Sequence, residues 1–375
     1  YVLFGFLIGP AFLDLLHGEP EAETLSILAE LALALVLFTD AAGTNFAVLR
    51  RAERLPILLL AVGLPLTIVL GFGAGKALFP GLSVFEVALL ATMLAPTDAA
   101  LGKGVVTNPA VPNSARQGLN VESGLNDGIC VPIILLFLAL AQGQGGDQSP
   151  WQLGFDLFLK VVGVGVLSGL VLTGATVLLL RVFMRRDWLS PTWSKIVVIA
   201  LAFTCFGTAQ ALGGSGFIAA FVGGMLFGAT LKQKSEKLLD AAEGVGDTFG
   251  LLTWVLFGVV IAGSAVSTFS WQAFVYAVLS LTVVRMLPVF LVMSGSPANT
   301  EAKLFVGWFG PRGLASIVFA VMVIDAKLPH VDTLTTTVVY TVLLSILLHG
   351  LTANPWAKGF GARWNASHPA ESPGE

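Results

Sequence analysis

Glu122-Ser123-Gly124-Leu125-Asn126-Asp127-Gly128 interrupts an apolar segment, 116–141, that is long enough to cross a bilayer. Two carboxylates and an amide within about one and a half helical turns are costly in hydrocarbon. Such groups inside a span mark an ion or proton pathway. Two other apolar segments are broken in the same way, at Thr97-Asp98 and at Gly310-Pro311-Arg312-Gly313. Together the breaks imply a carrier that moves a cation and a proton.

The composition puts these breaks in a membrane. Of 375 residues, 55% are hydrophobic and 11% charged, whereas a soluble domain carries roughly 25% charged residues. The mean hydropathy is +0.86, and the chain reads as an all-α polytopic membrane protein. Its net charge of −3 decides little, because the placement of charge sets topology. Cys130 and Cys205 lie in apolar runs and read as small buried side chains, not as a disulfide framework. The 42 glycines suit close helix packing in lipid. The run opening at Tyr1 has no charged leader or cleavage site before it, so it is not a signal peptide. A first helix ahead of Tyr1 is expected. Gly71 to Lys76 lacks the Ser or Thr that a phosphate loop needs after its Lys, and no cofactor, structural-metal or nucleic-acid signal is present.

Apolar runs give about 12 spans, at about 20 residues for each crossing, or 13 with the missing first helix. They fall at 1–16, 24–40, 54–79, 84–103, 116–141, 152–182, 193–212, 215–231, 247–266, 269–293, 302–325 and 333–355. The transmembrane domain is therefore 1–355, and 356–375 is a short cytoplasmic tail. Alternate loops hold Arg50, Arg51 and Arg54; Lys103 and Arg116; Arg181, Arg185, Arg186 and Lys195; Lys232, Lys234 and Lys237; Lys303; and Lys358 and Arg363. These are most of the 20 Lys and Arg, and by the positive-inside rule both visible ends are expected to be cytoplasmic, a first helix ahead of Tyr1 putting the true N-terminus outside. The remaining loops hold only Lys76 and Lys327, alongside Asp14, Glu19, Glu21, Glu23 and Asp147.

Gly5-Phe6-Leu7-Ile8-Gly9-Pro10 in span one resembles Gly216-Phe217-Ile218-Ala219-Ala220 in span eight. The broken spans four and eleven are the same seven steps apart. Seven is odd, so the halves have opposite orientation, which predicts inverted repeats. Spans four (84–103) and eleven (302–325) are expected to be discontinuous helices, because Pro96 and Gly310-Pro311 remove backbone support at mid-segment. Half-helix ends expose carbonyls and amides of opposite partial charge. Asp98 is placed to compensate the positive ends, and Arg312 or Arg285 the negative ends.

Each helical residue advances by about 100°, so Ser123 and Asp127 share one face and Glu122 and Asn126 another. Glu122 and Asp127 point about 140° apart and are unlikely partners for one ion. Asp127, supported by Ser123, is assigned the exchange site, and Glu122 is expected to form a buried ion pair with Arg312. Desolvation opposes the charged form of a carboxylate. Protonation and cation binding then compete for Asp127, and competition at one alternating-access site yields antiport. Asp40, at the end of span two, is either a second cation ligand or a helix-end acid. Glu86, Asp156 and Lys160 are expected at the interface. His349 is either a packed polar residue or a proton relay.

Leu94-Ala95-Pro96-Thr97-Asp98, the Glu122–Gly128 run, and Gly307-Trp308-Phe309-Gly310-Pro311-Arg312-Gly313-Leu314-Ala315 resemble signature segments of the sodium/proton antiporters of cation:proton antiporter family 1. The resemblance runs in order along nearly the whole chain. It implies a thirteen-helix carrier, usually a homodimer in the cell membrane, with two crossed, unwound helices in a six-helix core. It implies that Asp127 binds the ion with Ser123 and the Thr97 carbonyl, that Asp40 holds the family's other acidic position, and that Glu122 with Arg312 is its buried pair. Asn126 stands where electrogenic relatives have Asp, which implies electroneutral one-for-one exchange of Na⁺ or Li⁺ for H⁺. This sequence departs from the family at Ala99, where Pro is frequent after Thr-Asp, and at Asp40, commonly Glu. K⁺/H⁺ exchange on the same fold is the alternative. A cation channel is a more distant one, since no repeated filter motif is visible. An intramembrane aspartyl protease would need two catalytic acids in a known pairing motif, and the chain is not read as an enzyme.

Overall fold

The structure, a computed structural model, describes residues 1–10, 12–13, 15, 22–43, 55–98, 101, 103–106, 108–143, 150–186, 188, 190–231, 236–259, 269–296 and 298–367. Among the described residues every regular element is helical. In chain order these are α1 (Val2–Ile8), α2 (Ala22–Gly43), α3 (Leu55–Leu78), α4 (Val84–Met93), α5 (Lys103–Val106), α6 (Asn113–Gln142), α7 (Pro150–Arg185), α8 (Pro191–Ala211), α9 (Gly216–Leu231), α10 (Glu236–Phe257), α11 (Trp271–Leu281), α12 (Val283–Val292), α13 (Thr300–Trp308), α14 (Leu314–Asp325) and α15 (Val331–Ser367). Among the described residues, six stretches are long and apolar enough to cross a membrane: Ser26–Gly43, Leu55–Leu78, Asn113–Gln142, Phe155–Arg185, Trp271–Gly295 and Val331–Trp364. α4, α9, α14 and Ile196–Ala211 of α8 are apolar but shorter.

The chain divides into two units, Tyr1–Phe46 with Val131–Phe269, and Ala47–Cys130 with Ser270–Glu375. In the first unit α2 is the central helix. Its Leu/Ala-rich sequence favours helix, and Ala29, Leu33, Leu35, Phe38 and Ala42 are all buried. α9 packs on it at short range. Side chains at Gly224 and Gly228 would collide with the backbone of Phe38 and Ala42, the small-residue contact expected of helices in lipid. α7 turns Leu167, Val171, Leu178 and Leu179 outward, an apolar surface suited to hydrocarbon.

In the second unit, local signals set the helix starts. Ser83 and Glu86 form a reciprocal capping box at α4, with Ser83 N–H donating to Glu86 Oε2 at 2.9 Å and Glu86 N–H to Ser83 Oγ at 3.2 Å. Asn299 Oδ1 caps α13 by accepting the Ala302 N–H at 2.8 Å. Phe305, Phe309 and Phe360 form an apolar cluster that ties α13 to α15.

Several expected boundaries shift. Span four is α-helical only over α4 before Leu94, and span eleven splits into α13 and α14 around 309–313. α10 begins at Glu236, well before the expected 247. Its exposed Asp240, Glu243 and Asp247 dilute the hydropathy, while Leu238, Leu239, Ala242 and Gly246 face inward. α15 runs unbroken from Val331 to Ser367, through Pro355. Glu86 is buried, its carboxylate serving the capping box and facing His330 Nδ1 at 3.1 Å. Asp156 and Lys160 are exposed. Arg50, Arg51 and Arg54, and the loop positions Lys232 and Lys234, lie outside the described residues.

Candidate functional site

The second unit brings two interrupted helices together. After Met93 the α4 backbone leaves helical geometry, so carbonyls there lose the amide partners a continuing helix provides. Pro96 adds no donor of its own. Arg312 fills the gap: its Nη1 donates to the Ala95 and Pro96 carbonyls at 2.9 and 3.0 Å. At the second break the opposite need arises, since the first amides of α14 have no carbonyl before them. Asp98 Oδ2 accepts the Leu314 N–H at 3.0 Å, placing a carboxylate at a positive helix end. The two breaks also bond directly, Asp98 N–H to the Pro311 carbonyl at 2.8 Å. Ser316 Oγ donates to the Met93 carbonyl at 2.9 Å. Each broken end is thus satisfied by the other.

α6 lays its polar run against this junction. Ser123 Oγ donates to the Thr97 carbonyl at 2.6 Å, and Asn126 Nδ2 donates to Thr97 Oγ1 at 2.8 Å. Asp127 follows one turn after Ser123 and is 8% exposed. Asn126 Oδ1 is buried with no hydrogen-bond partner among the described residues, an oxygen available to a cation or a water. A small cavity reaches Thr97, Asp98, Ser123 and Pro311 between apolar walls that include Leu119 and Phe309. The Asp98 carboxylate, the Ser123 hydroxyl and the Thr97 oxygens that line it are hard oxygens suited to alkali cations and protons.

The expected pairing of Glu122 with Arg312 is not what the structure contains. Glu122 pairs with Arg285 of α12, Nη1 to Oε1 at 2.5 Å and Nη2 to Oε2 at 2.8 Å. The reason is the demand of the first break: two unbonded carbonyls draw Arg312, and Arg285 is left to meet the carboxylate. Asn126 also departs from its expected alignment with Glu122, and joins Ser123 at Thr97. Residues three apart on a helix differ by only about 60° in direction, and the amide is long enough to cover that. Asp40 lies in the last turn of α2, in the first unit, and is part-buried.

Three site residues were not singled out as a group in the sequence. Ser345 Oγ accepts the Arg312 N–H at 2.7 Å. His349, also on α15, faces the Trp308 carbonyl through Nε2 at 2.8 Å. Ser316 ties α14 to the end of α4. Small hydroxyl residues in apolar helices are common, and only their spacing opposite a break distinguishes these.

The geometry defines a polytopic helical membrane protein with a buried polar junction of two broken helices. The chain belongs to the family described as sodium/hydrogen exchanger, transmembrane, which matches residues 1–359. The family is one of membrane cation:proton antiporters and not of enzymes. Among similar proteins, the K(+)/H(+) antiporter NhaP2 of Shewanella oneidensis is 23% identical over 333 residues, 88% of this chain and 57% of that protein. The K(+)/H(+) antiporter NhaP of Alkalimonas amylolytica is 24% identical over 363 residues, 96% of this chain and 61% of that one. The Na(+)/H(+) antiporter of Schizosaccharomyces pombe is 27% identical over 268 residues, 66% and 56% of the two chains. This chain therefore spans somewhat more than half the length of these relatives. The fold matches the structure of the sodium proton antiporter MjNhaP1 from Methanocaldococcus jannaschii at pH 8, with TM-score 0.74 and 22% identity, over 95% of this chain and 90% of that one.

Proposed function

We propose that this protein exchanges one monovalent cation for one proton by alternating access, with the two competing for Asp127. The observation that carries the reading is the buried oxygen set on α6 and the α4 break, Asp127, Ser123, Asn126 and Thr97. The charge count of the junction supports one-for-one stoichiometry. Glu122, Asp98 and Asp127 bring three carboxylates, and Arg285 and Arg312 two guanidiniums. One proton or one alkali cation balances the difference, so each half-cycle carries the same charge. Glu122, Asp98, Arg285 and Arg312 are the structural charges that hold the two breaks. Asp40 is the additional acid that the family resemblance points to.

Na⁺ or Li⁺ is the proposed cation. K⁺ is the second reading, favoured by relatives named as K(+)/H(+) antiporters. The wider reading includes about 12 spans at about 20 residues each, inverted repeats with two crossed broken helices, and a homodimer in the cell membrane. Tyr1 and residues 356–375 lie on the cytoplasmic side in this reading, and the role is pH homeostasis.

The test is dissipation of a pH gradient in vesicles on adding Na⁺, Li⁺ or K⁺ separately, for wild type and Asp127→Asn, with the membrane potential clamped and then released. A wild-type response that ignores potential and disappears in the variant is expected, and the active ion names the substrate. Retained exchange in a folded Asp127→Asn protein would remove the central assignment.

A further inference from the structure

The break between α13 and α14 is spanned from α15 by two side chains that ion binding does not use. Ser345 and His349 are one turn apart on α15 and both buried. His349 Nε2 lies 2.8 Å from the carbonyl of Trp308, the last residue of α13. A carbonyl only accepts, so Nε2 donates to Trp308 when it carries a proton, and the same holds for Nδ1 towards the Ser345 carbonyl. Nδ1 sits over Ser345, 3.2 Å from its hydroxyl and 2.8 Å from its carbonyl. The same Ser345 oxygen accepts the Arg312 N–H at 2.7 Å. A chain of polar contacts through Ser345 and His349 therefore joins the amide of Arg312 to the carbonyl of Trp308, bridging the residues where the helix is interrupted.

The bridge is anchored at its α13 end. The Trp308 ring lies against the His349 ring, centroids 5.1 Å apart at 30°. Trp308 Nε1 also donates to Thr352 Oγ1 at 2.9 Å, about one turn further along α15. At its other end stands Arg312, whose guanidinium ties down the Ala95 and Pro96 carbonyls, next to the Thr97 that α6 engages.

We propose that His349 and Ser345 are positioning residues: they splint the second helix break from α15 and so hold Arg312 in register with the end of α4. Only the transport arm of the test rests on the exchange reading above. Gln can replace His in this role, since its amide nitrogen donates to Trp308 and its oxygen accepts from Ser345. Leu cannot. Thr keeps the Ser345 hydroxyl and Ala removes it.

The test measures amide hydrogen exchange over 309–314 in purified full chain, and the cation concentration for half-maximal exchange in vesicles, for His349→Leu, His349→Gln, Ser345→Ala and Ser345→Thr. Leu and Ala are expected to speed amide exchange there by about tenfold, leaving 84–93 unchanged, and to raise the half-maximal concentration about fivefold, as loss of one buried hydrogen bond implies. Gln and Thr are expected to restore both. Unchanged amide exchange in Ser345→Ala, the mildest change, overturns the splint even if His349→Leu does not fold. Faster amide exchange with an unaltered half-maximal concentration overturns the positioning role. A wild type that transports none of the three cations rejects the exchange reading instead, and the amide arm still decides the splint.

Discussion

Arg285 meets the Glu122 carboxylate fork to fork, with contacts of 2.5 and 2.8 Å and both side chains 2% exposed or less. A planar guanidinium suits a planar carboxylate in a way that a Lys ammonium does not. Buried in a span, neither group has water to fall back on, so each depends on the other.

Removing one partner strands the other. Glu122→Ala and Arg285→Ala are each expected to cost about 3–5 kcal/mol, read as a lower Tm of the purified protein. Replacing both by apolar residues should cost much less than the sum of the two losses. Strictly additive losses would refute the pairing.

Arg312 answers to different partners, and rescue separates the two arginines. Glu122→Gln is expected to recover part of the stability lost in Arg285→Met, because it removes the stranded charge. It should recover none in Arg312→Met, where the loss comes from the Ala95 and Pro96 carbonyls, about 1–3 kcal/mol for each buried acceptor left without a donor. Equal rescue of both would restore the Glu122–Arg312 pairing read from the sequence.

Asp98 is expected to show a graded series. Asp98→Asn keeps an acceptor for the Leu314 amide but loses the charge at the start of α14, a cost of about 0.3–1 kcal/mol. Asp98→Ala loses the acceptor as well, for about 0.5–2 kcal/mol. Gly313→Ala should be at least as damaging, because its Cβ would occupy the space of the Asp98 side chain. Thermal unfolding of the three variants checks the order.

These relationships differ in how far they could be read ahead. Six long apolar spans, the two breaks and the polar run on α6 were legible, because apolar length, Pro and Gly act locally. The role of Asp98 was legible too, since a carboxylate beside a helix break has an obvious positive end to serve. The choice between Arg285 and Arg312 was not. Glu122 and Arg285 are 163 residues apart in sequence, and only the positions of the free carbonyls decide which arginine is spared for the carboxylate. The start of α10 was hidden for another reason: its acids lie on one exposed face, so average hydropathy falls while the buried face persists.

Asn126 and Thr97 offer the sharpest check on the ion site itself. The amide donates to the Thr97 hydroxyl at 2.8 Å, while Ser123 separately engages the Thr97 carbonyl. If the amide–hydroxyl bond orients the site, Asn126→Ala and Thr97→Val remove the same interaction from opposite ends. Each is expected to raise the half-maximal cation concentration roughly fivefold, the equivalent of about 1 kcal/mol for one hydrogen bond. The double variant should then be little worse than either single one, since residues sharing one bond are not additive. Ser123→Ala breaks a different bond and should add to both. Additive effects of Asn126→Ala and Thr97→Val would mean that the two side chains serve the cation independently.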